Sequence, residues 1–326
     1  MKHITLEDNP HLLEQTLILI EKSFNYSKEN SFLVDFNPLV SEENYQNCHL
    51  LIKDEKVIGH IGVLLKEILI GKKKFEIAMY GGIAIEESHR GEGLFKKFFT
   101  EILDKYSAPC MHMLWSDQTD MYKKFNFHAC IDQFEYNQSL LDAEEFSPTK
   151  LSALTKKEIK SLYKIYNNQP EHRLSRSLEE WDKLKAISST DLYIKRENDE
   201  IKNYFFINKG EDLQGVIIEV GDFEDFQEII KYGVLWSPHI FDEDSEELYA
   251  ALVRIGNPKA FQDFVTTYTG SIVNIQEITE SDILFSFEKS NLKLGQDAFL
   301  TGVFGPNCFE ELKELDPFYI SGLDSI

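Results

Sequence analysis

The chain is short of the features that mark membrane-spanning, secreted and metal-binding proteins. It contains no run of about 18 apolar residues, the minimum for a helix that crosses a bilayer. Its 326 residues include only four cysteines, none in a C-x-x-C pattern or at metal-ligand spacing from a histidine. Acidic residues follow the first few positions before any apolar run forms, which argues against a signal peptide. These absences predict a cytoplasmic protein with reduced, buried thiols and no metal.

Positive charge is also scarce. Lysine and arginine number 34 against 56 aspartates and glutamates, so the formal net charge is −22. A field of this sign repels phosphate backbones and anionic lipids, which predicts neither nucleic-acid nor membrane partners. The same field would favour a cationic substrate such as an amine, although it is equally compatible with high solubility and nothing more.

What the chain does have is enough apolar sequence for two cores. Hydrophobic residues make up 42% of a chain that is long for a single domain. The polar stretch around Phe146–Thr149 contains a proline and marks a boundary. We therefore predict two domains, residues 1–145 and 146–326.

Hydrophobic periodicity predicts the elements of the first half. Their order is strand, helix, three strands, helix, strand, helix and strand. The predicted ranges are a strand and helix within 4–25, strands at 48–53, 57–67 and 75–85, a helix at 93–106, a strand at 110–115, a helix at 116–125 and a strand at 127–136.

The second half repeats much of this order. We predict helices at 156–167, around Trp181, at 223–232 and at 245–255, and strands at 192–195, 204–208 and 215–220. Leu114-Trp115-Ser116 and Leu235-Trp236-Ser237 fall at matching places in the two halves. The expectation is an α/β (α+β) fold with a mixed central sheet flanked by helices, duplicated in tandem.

One junction carries the pattern of an anion site. His89-Arg90-Gly91-Glu92-Gly93-Leu94-Phe95 joins a strand to the start of a helix, where backbone N–H groups lack helical partners. Those groups and the positive end of the helix dipole attract anions, and glycines let an anion approach the backbone. Arg90 would orient the loop or add charge. Taken alone, the pattern fits a ligand-free turn equally well.

The junction resembles the signature Gln/Arg-x-x-Gly-x-Gly/Ala of the GNAT acetyltransferase superfamily, which lies between the fourth strand and the third helix. The preceding Ile83-Ala84-Ile85 looks like the family's apolar strand, and Met121-Tyr122-Lys123-Lys124-Phe125-Asn126-Phe127 is similar to its Leu/Phe-Tyr-x-Lys-x-Gly-Phe segment. The chain departs from the pattern at Phe95, which replaces a small residue, at Asn126, which replaces glycine, and at Trp115, which stands where the family has an asparagine.

The resemblance covers residues 1–138 and implies the GNAT fold and an acyl-CoA donor, here acetyl-CoA. The pyrophosphate would lie on Arg90, Gly91, Glu92, Gly93, Leu94 and Phe95, and pantetheine would pair with the strand Ile83, Ala84 and Ile85. The acetyl group would pass directly to a primary amine of a small molecule or peptide. Tyr122 would protonate the departing thiolate. For the general base, Glu86 is the first choice, and Asp117 and His60 are alternatives.

The second half lacks these features. Its corresponding turn, residues 219–226, has no arginine, a single glycine and four acidic residues, which would repel a pyrophosphate. We predict that this half has lost CoA binding and serves as a scaffold or as one wall of the acceptor site. Tandem arrangements of this kind occur in the superfamily, including the enhanced-intracellular-survival aminoglycoside acetyltransferases, where the C-terminal carboxylate sits in the active site. The apolar tail 317–326 raises the hypothesis that Ile326 does the same here.

Two other classes of function compete with an enzyme. A non-catalytic acyl-CoA sensor would fit the replacements at Trp115 and Phe95, whereas the retention of Tyr122 favours catalysis. A structural protein with a decayed fold would bind no CoA. The sequence does not identify the acceptor, the acyl group or the oligomeric state.

Overall fold

A mixed sheet of twelve strands runs through both halves of the chain in the computed structural model, which describes residues 1–137, 144–242, 245–287, 290–305 and 308–326. Smaller sheets of three and two strands lie beside it. The strands are β1 (Lys2–Thr5), β2 (Cys48–Lys53), β3 (Lys56–Ile70), β4 (Lys73–Ile85), β5 (Met111–Leu114), β6 (His128–Tyr136), β7 (Ser147–Thr149), β8 (His172–Arg173), β9 (Asp191–Glu197), β10 (Glu200–Ile207), β11 (Val216–Val220), β12 (Val234–Ser237), β13 (Glu246–Ile255), β14 (Val273–Ile278), β15 (Asp282–Phe287), β16 (Ser290–Gly295) and β17 (Phe318–Tyr319).

Helices flank this sheet, as predicted. They are α1 (Leu13–Ser23), α2 (Phe32–Asp35), α3 (Asn37–Val40), α4 (Leu94–Lys105), α5 (Thr119–Lys123), α6 (Lys156–Asn167), α7 (Leu178–Lys183), α8 (Phe226–Ile229), α9 (Pro258–Tyr268) and α10 (Gln296–Phe304). Short 3-10 turns lie at Pro10–Leu12, Glu42–Asn47, Glu87–His89, Leu151–Ala153, Leu184–Ala186, Phe223–Asp225 and Glu310–Leu312. None of the helices in the described ranges is long and apolar enough to cross a membrane.

The strand order of the large sheet is β1-β2-β3-β4-β5-β13-β6-β12-β11-β10-β9-β7. Each half contributes one parallel pair, β4 with β5 and β11 with β12, at matching places in its order. The two halves then exchange strands, because β13 from the second half lies between β5 and β6 of the first, and β6 pairs with β12. The sheet therefore passes without a break through the predicted boundary near residue 145, and the division into two domains stays a prediction.

The predicted helix at 245–255 is wrong, because this segment forms strand β13. Its glutamates, leucines and alanines favour a helix in isolation. In the fold it pairs with a neighbour on each side, and both faces are covered. Leu252 packs into the core beneath α4, whereas Ala251 and Val253 face the opposite core. Burial on two faces decides the conformation against local propensity.

A third layer was not anticipated from the sequence. Strands β14, β15 and β16 form an antiparallel sheet, and helices α9 and α10 pack beside it. Phe261, Phe264 and Phe299 are fully buried and join this layer to the core of the large sheet. Among the cysteines, Cys48, Cys110 and Cys130 are buried as expected, while Cys308 is half-buried, and all four are free thiols.

Strand exchange makes the first half incomplete without β13. A fragment of residues 1–137 leaves the edges of β5 and β6 unpaired, so we expect it to aggregate or to unfold without cooperativity. Because Glu135 and Glu246 are register partners, a short linker from Asn137 to Ser245 can restore the strand as a hairpin. We expect a fragment of 1–137, linker and 245–256 to unfold cooperatively in urea, monitored by circular dichroism.

The matched control for this fragment is Leu252→Asp, which puts an unpaired charge at a buried position and should abolish the cooperative transition. A cooperatively folded fragment 1–137 without the added strand would contradict the prediction.

Candidate functional site

A wedge-shaped opening lies between β4 and β5, where two paired strands separate. Ile77 to Tyr80 pair in parallel with Met111 to Leu114, and this is where the pairing ends. Strand β4 continues beyond Tyr80 to Ile85, whereas the chain leaves β5 at Trp115 and turns toward α5. The stretch from Gly81 to Ile85 therefore has β3 on one side and no strand on the other. Backbone groups on that open side are available to a ligand.

The orientation of the amides on β4 identifies which residues face the opening. The N–H of Glu86 donates to the carbonyl of Ile58 on β3, 2.9 Å away. Because successive residues of a strand direct their N–H groups to alternate sides, those of Ile85 and Ile83 point away from β3. The register with β3 shifts between His60 and Gly62, opposite Gly82, whose φ is +57°. This bulge aims the open-side groups of β4 into the gap.

The loop after β4 presents a run of free backbone amides. Within the described part of the chain, none of the N–H groups from Gly91 to Lys96 donates a hydrogen bond. Gly91 and Gly93 have φ of +81° and +75°, and a Cβ at either residue would meet nothing within 4 Å. The loop is solvent-exposed and opens onto the N-terminus of α4. Its geometry is that of an anion site, with unpaired N–H groups and a helix dipole on the same side.

The side chains of Arg90 and Phe95 attach this loop to the rest of the fold. The guanidinium Nε of Arg90 donates to the carbonyl of Ile85 at 3.1 Å, so Arg90 ties the loop to the end of β4. Phe95 turns away from the loop and stacks on Phe99, with ring centroids 5.3 Å apart. Its edge contacts reach Phe125 and Tyr122. The bulky residue at the end of the motif thus packs into the core beneath the loop and leaves the amides uncovered.

Tyr122 lies on α5, the short helix that follows β5. Its ring is buried against Phe95, Phe99 and Phe127. Burial, helped by Asp117, raises the pKa of the Tyr122 phenol above its usual value. Its hydroxyl makes no hydrogen bond to any of the described residues. The phenol is therefore a protonated, unused donor in the helix beside the opening. Asn126, with φ of +60°, ends this segment in the left-handed conformation, which asparagine tolerates in place of glycine.

Glu86 lies apart from Tyr122, at the far end of β4. It stands five residues after Gly81, about 16 Å along the strand at the usual rise per residue. Its carboxylate accepts from Lys22 Nζ at 3.0 Å, and it lines a shallow surface groove with Lys53, Val57 and His89. No contact joins Glu86 to Tyr122 or Gly81 in the described residues. Its role as base stays a prediction.

The two other candidates for the base occupy different environments. His60 is wholly buried, its Nδ1–H donates to the carbonyl of Gly82 at 2.7 Å, and burial lowers its pKa to about 4. The histidine therefore supports the bulge in β4 from the side away from the opening. Asp117 is exposed and is not the N-cap of α5, a position that Gln118 occupies; the hydroxyl of Ser116 accepts from the N–H of Gln118.

The tail of the chain reaches the opening. A Cβ placed on Gly81 would lie 2.6 Å from the main-chain carbon of Ile326, so the two backbones are in contact. Before it reaches Gly81, the tail binds strand β11 of the second half, where the N–H of Gly322 donates to the carbonyl of Ile218 at 2.8 Å. The apolar residues of the tail predict that it docks on the protein. No pattern in the sequence identifies Gly81 as the residue that it contacts.

The corresponding strand of the second half is β11, and side chains and the tail cover its edge. The N–H of Val220 donates to the hydroxyl of Tyr319, and the carbonyl of Val220 accepts from Arg173 Nη1 at 2.9 Å. Glu219 is fully buried, and Arg176 binds both Glu219 and Asp324 of the tail. In the turn that follows, Asp222 accepts from the N–H of Glu224 and so occupies the N-terminus itself. No run of free amides like that of residues 91–96 is present in the described part of this turn. Across the described ranges, no group of three or more metal-ligating side chains is present.

Comparison with known proteins matches part of the first half to a family model. Residues 9–130 match the sequence model of the Acetyltransferase (GNAT) domain. A comparison with curated protein sequences found no significant match.

Solved structures share the fold over nearly the whole chain. A GCN5-related N-acetyltransferase from Kribbella flavida is 10% identical, with a TM-score of 0.61 and all of both chains covered. A conserved protein from Enterococcus faecalis V583, described as a probable N-acyltransferase, is 13% identical, with a TM-score of 0.60 and 90% of this chain and 85% of that chain covered. Eis1 from Mycobacterium abscessus is 10% identical, with a TM-score of 0.59 and coverage of 94% and 90%.

The buried histidines generate a prediction about pH. Burial lowers the pKa of His60 to about 4 and those of His49 and His112 to about 3, so all three are neutral in the folded protein at pH 6. The unfolded chain binds protons at these residues near pH 6.5. The free energy of unfolding should therefore fall as pH drops from 6.5 toward 4, by about 1 kcal/mol per pH unit for each histidine.

Urea denaturation at pH 7.5, 6 and 5 measures this slope. His60→Gln should be less stable at pH 7.5, because it weakens the support of the Gly82 carbonyl, and should show a shallower loss of stability on acidification. His11→Gln, at an exposed position, is the control and should retain the wild-type slope. Equal slopes for His60→Gln and wild type would refute the assignment of a buried neutral histidine.

Proposed function

We propose, from the GNAT acetyltransferase domain that this chain carries over residues 9–130, that the protein transfers the acetyl group of acetyl-CoA directly to a primary amine. The observation that supports this most directly is the run of free amides from Gly91 to Lys96 at the mouth of the opening between β4 and β5. An anion site and an unpaired strand edge, side by side, suit a ligand with a pyrophosphate at one end and an amide-bearing arm.

Binding of the donor follows from these two features. The pyrophosphate would accept hydrogen bonds from the loop at Arg90, Gly91, Glu92, Gly93, Leu94 and Phe95, with charge compensation from the helix dipole. The pantetheine arm would add to the open side of β4, where Ile83 and Ile85 present their amides, with Ala84 between them facing β3. This placement would bring the thioester to the bulge at Gly81 and Gly82.

Transfer needs no covalent enzyme intermediate. The lone pair of a neutral amine attacks the thioester carbonyl carbon, the C–N bond forms, and a backbone N–H of β4 stabilises the oxyanion. Collapse of this tetrahedral species breaks the C–S bond. The amine gives its proton to a base, and the sulfur leaves as a thiolate. Holding both reactants in the gap supplies much of the rate enhancement.

Tyr122 would act on the leaving sulfur. Burial raises the pKa of its phenol, so the group is protonated before the reaction. A thiol has a pKa of about 8.5, below that of the phenol, so complete proton transfer from the phenol is uphill. Hydrogen-bond donation to the developing thiolate is therefore the contribution that we propose for Tyr122, which keeps its proton. CoA leaves as the thiolate and takes a proton from water.

For the base, Glu86 remains the candidate from the sequence, but its ion pair with Lys22 and its distance from Gly81 weigh against it. The main chain of Ile326 lies beside Gly81, where the amine would approach the thioester. The acceptor itself is a small-molecule or peptide amine, and the net charge of −22 would favour its cationic form on approach.

The second half would serve as a scaffold. Its strand β11 has its open edge occupied by Tyr319, Gly322 and Arg173, and its turn carries an internal carboxylate cap. These contacts support the loss of CoA binding in this half, and they lead the tail toward the opening in the first half.

Donor binding is tested by thermal stability with acetyl-CoA. A ligand that binds only the folded state stabilises it by RT ln(1 + [L]/Kd), about 2.7 kcal/mol at a hundredfold excess over Kd. We expect an upward shift in Tm for wild type that is lost in Gly93→Asp, because the carboxylate fills the space of the pyrophosphate and repels it. Gly71→Asp is the matched control, with φ of +60° and equally open surroundings in the turn between β3 and β4. A shift of the same size in Gly93→Asp would place the donor elsewhere.

Catalysis is tested by Tyr122→Phe, which keeps the ring in its aromatic cluster and removes the hydroxyl. We expect kcat to fall about 100-fold or more, with the acetyl-CoA shift in Tm unchanged. Release of CoA is followed with a thiol reagent over a panel of primary amines: putrescine, spermidine, a lysine peptide and an aminoglycoside. Tyr163→Phe, a half-buried tyrosine of the second half, is the control. Binding of acetyl-CoA without CoA release from any amine would favour the non-catalytic sensor.

A further inference from the structure

A buried lysine of the second half contacts both the tail and the 26–36 segment of the first half. Lys209 follows β10, and only 2% of its surface is exposed. Its ammonium group donates to the main-chain carbonyls of Gly322, Leu323 and Ser325, at 2.9, 3.3 and 2.6 Å. All three N–H bonds of the group are used on one short segment of the tail. A cation buried in this way is held by carbonyl dipoles where an ion pair would be usual.

The segment around the ammonium is a tight turn. The N–H groups of Asp324 and Ser325 both donate to the carbonyl of Ser321, and the hydroxyl of Ser325 donates to the carbonyl of Gly322. The carbonyls of this turn converge on Lys209 Nζ, and the next residue, Ile326, lies against Gly81 of β4. The position of Ile326 is therefore coupled to Lys209 through a few covalent bonds.

The other face of the lysine contacts the first half. Its Nζ lies 4.6 Å from the centre of the Phe36 ring, which follows α2. The neighbouring Gly210, with φ of +60°, packs so closely on Asp35 that a Cβ would lie 2.7 Å from Oδ2. Glu211 accepts hydrogen bonds from Ser27 and Asn30. One turn of the second half thus binds the 26–36 segment of the first half and the tail together.

The surroundings of the Lys209 ammonium change its pKa in both directions. Burial lowers the pKa of Lys209 to about 7, while the charges of Asp324 and Asp35 act in the opposite direction. Arg176 lowers the pKa of Lys209, and Glu219 raises it. Arg176 forms the ion pairs with Glu219 and Asp324. The hydrogen bonds of Lys209 go instead to the main-chain carbonyls of the tail.

We infer that Lys209 is a positioning residue for acyl transfer, which holds the turn 322–325 by three hydrogen bonds and thereby sets where Ile326 lies at Gly81. This inference rests on the proposed function. It assigns the second half a direct part in the geometry of the acceptor side, through a residue that touches neither the donor loop nor the reacting atoms.

The experiment compares Lys209→Met with wild type by two measurements. Hydrogen exchange of a peptide covering residues 318–326 reports the tail directly. The amides of Asp324 and Ser325 should exchange about tenfold faster or more, since three hydrogen bonds to a charged donor are lost. For the amine of the panel that wild type acetylates best, kcat/KM should fall about tenfold or more, while KM for acetyl-CoA and the Tm shift with acetyl-CoA stay unchanged.

Lys202→Met is the matched control, because Lys202 lies on β10, the strand that precedes Lys209, but pairs with Glu200 at the surface. Lys209→Gln retains two N–H donors and should give intermediate values, and it replaces the methionine variant if that variant does not fold. Unchanged exchange in the tail would overturn the inference, as would faster exchange with unchanged kcat/KM for the amine. Absence of turnover in wild type would instead overturn the proposed function, and the exchange measurement would still decide whether Lys209 holds the tail.

Discussion

The insertion of β13 between β5 and β6 is the constraint on which the rest of the structure depends. Without it the first half would end at two unpaired edges, and the large sheet would be two sheets. With it, the strands of both halves share one hydrogen-bonded ladder, and the second half is fixed in orientation relative to the first. Everything that reaches the opening from the second half relies on that orientation, including the turn at Lys209 and the tail.

Two neighbouring features of the first half have different physical origins. The free amides at Gly91 to Lys96 exist because a helix cannot satisfy its own first turn, which is a local property of any helix start. The opening beside β4 exists because β5 is short and turns away at Trp115 while β4 continues past it. The first feature attracts an anion, and the second accepts an extended arm. Their adjacency is the reason for proposing a CoA ester as the ligand, since a simple phosphate would use only the first feature.

Strands β4 and β11 occupy corresponding places in the two halves, but they differ in how far protein groups cover their open edges. In the first half, the edge of β4 at Ile83 and Ile85 has no neighbouring strand among the described residues, and Arg90 binds the carbonyl of Ile85. In the second half, Tyr319 and Arg173 bind the same kind of edge at Val220, and a buried ion network at Arg176 secures the tail beside it. Such a network is costly to bury unless every member is paired, and here each charged group has a partner. The tail that closes one edge continues to the opening of the other.

Sequence alone determined the elements whose signals are local. The predicted helices at 93–106 and 156–167 and the glycines of the loop depend on interactions within a few residues, and the structure confirms these helices and the mixed sheet. The family resemblance also rested on short motifs, and the match over residues 9–130 confirms it. Tertiary structure alone decided that 245–255 is a strand, that His60 supports a bulge, and that Lys209 and Ile326 meet the first half. These outcomes depend on burial and on contacts between residues that are far apart in the chain, 22 positions for His60 and Gly82 and more than a hundred for the others. Periodicity along the chain carries information on neither.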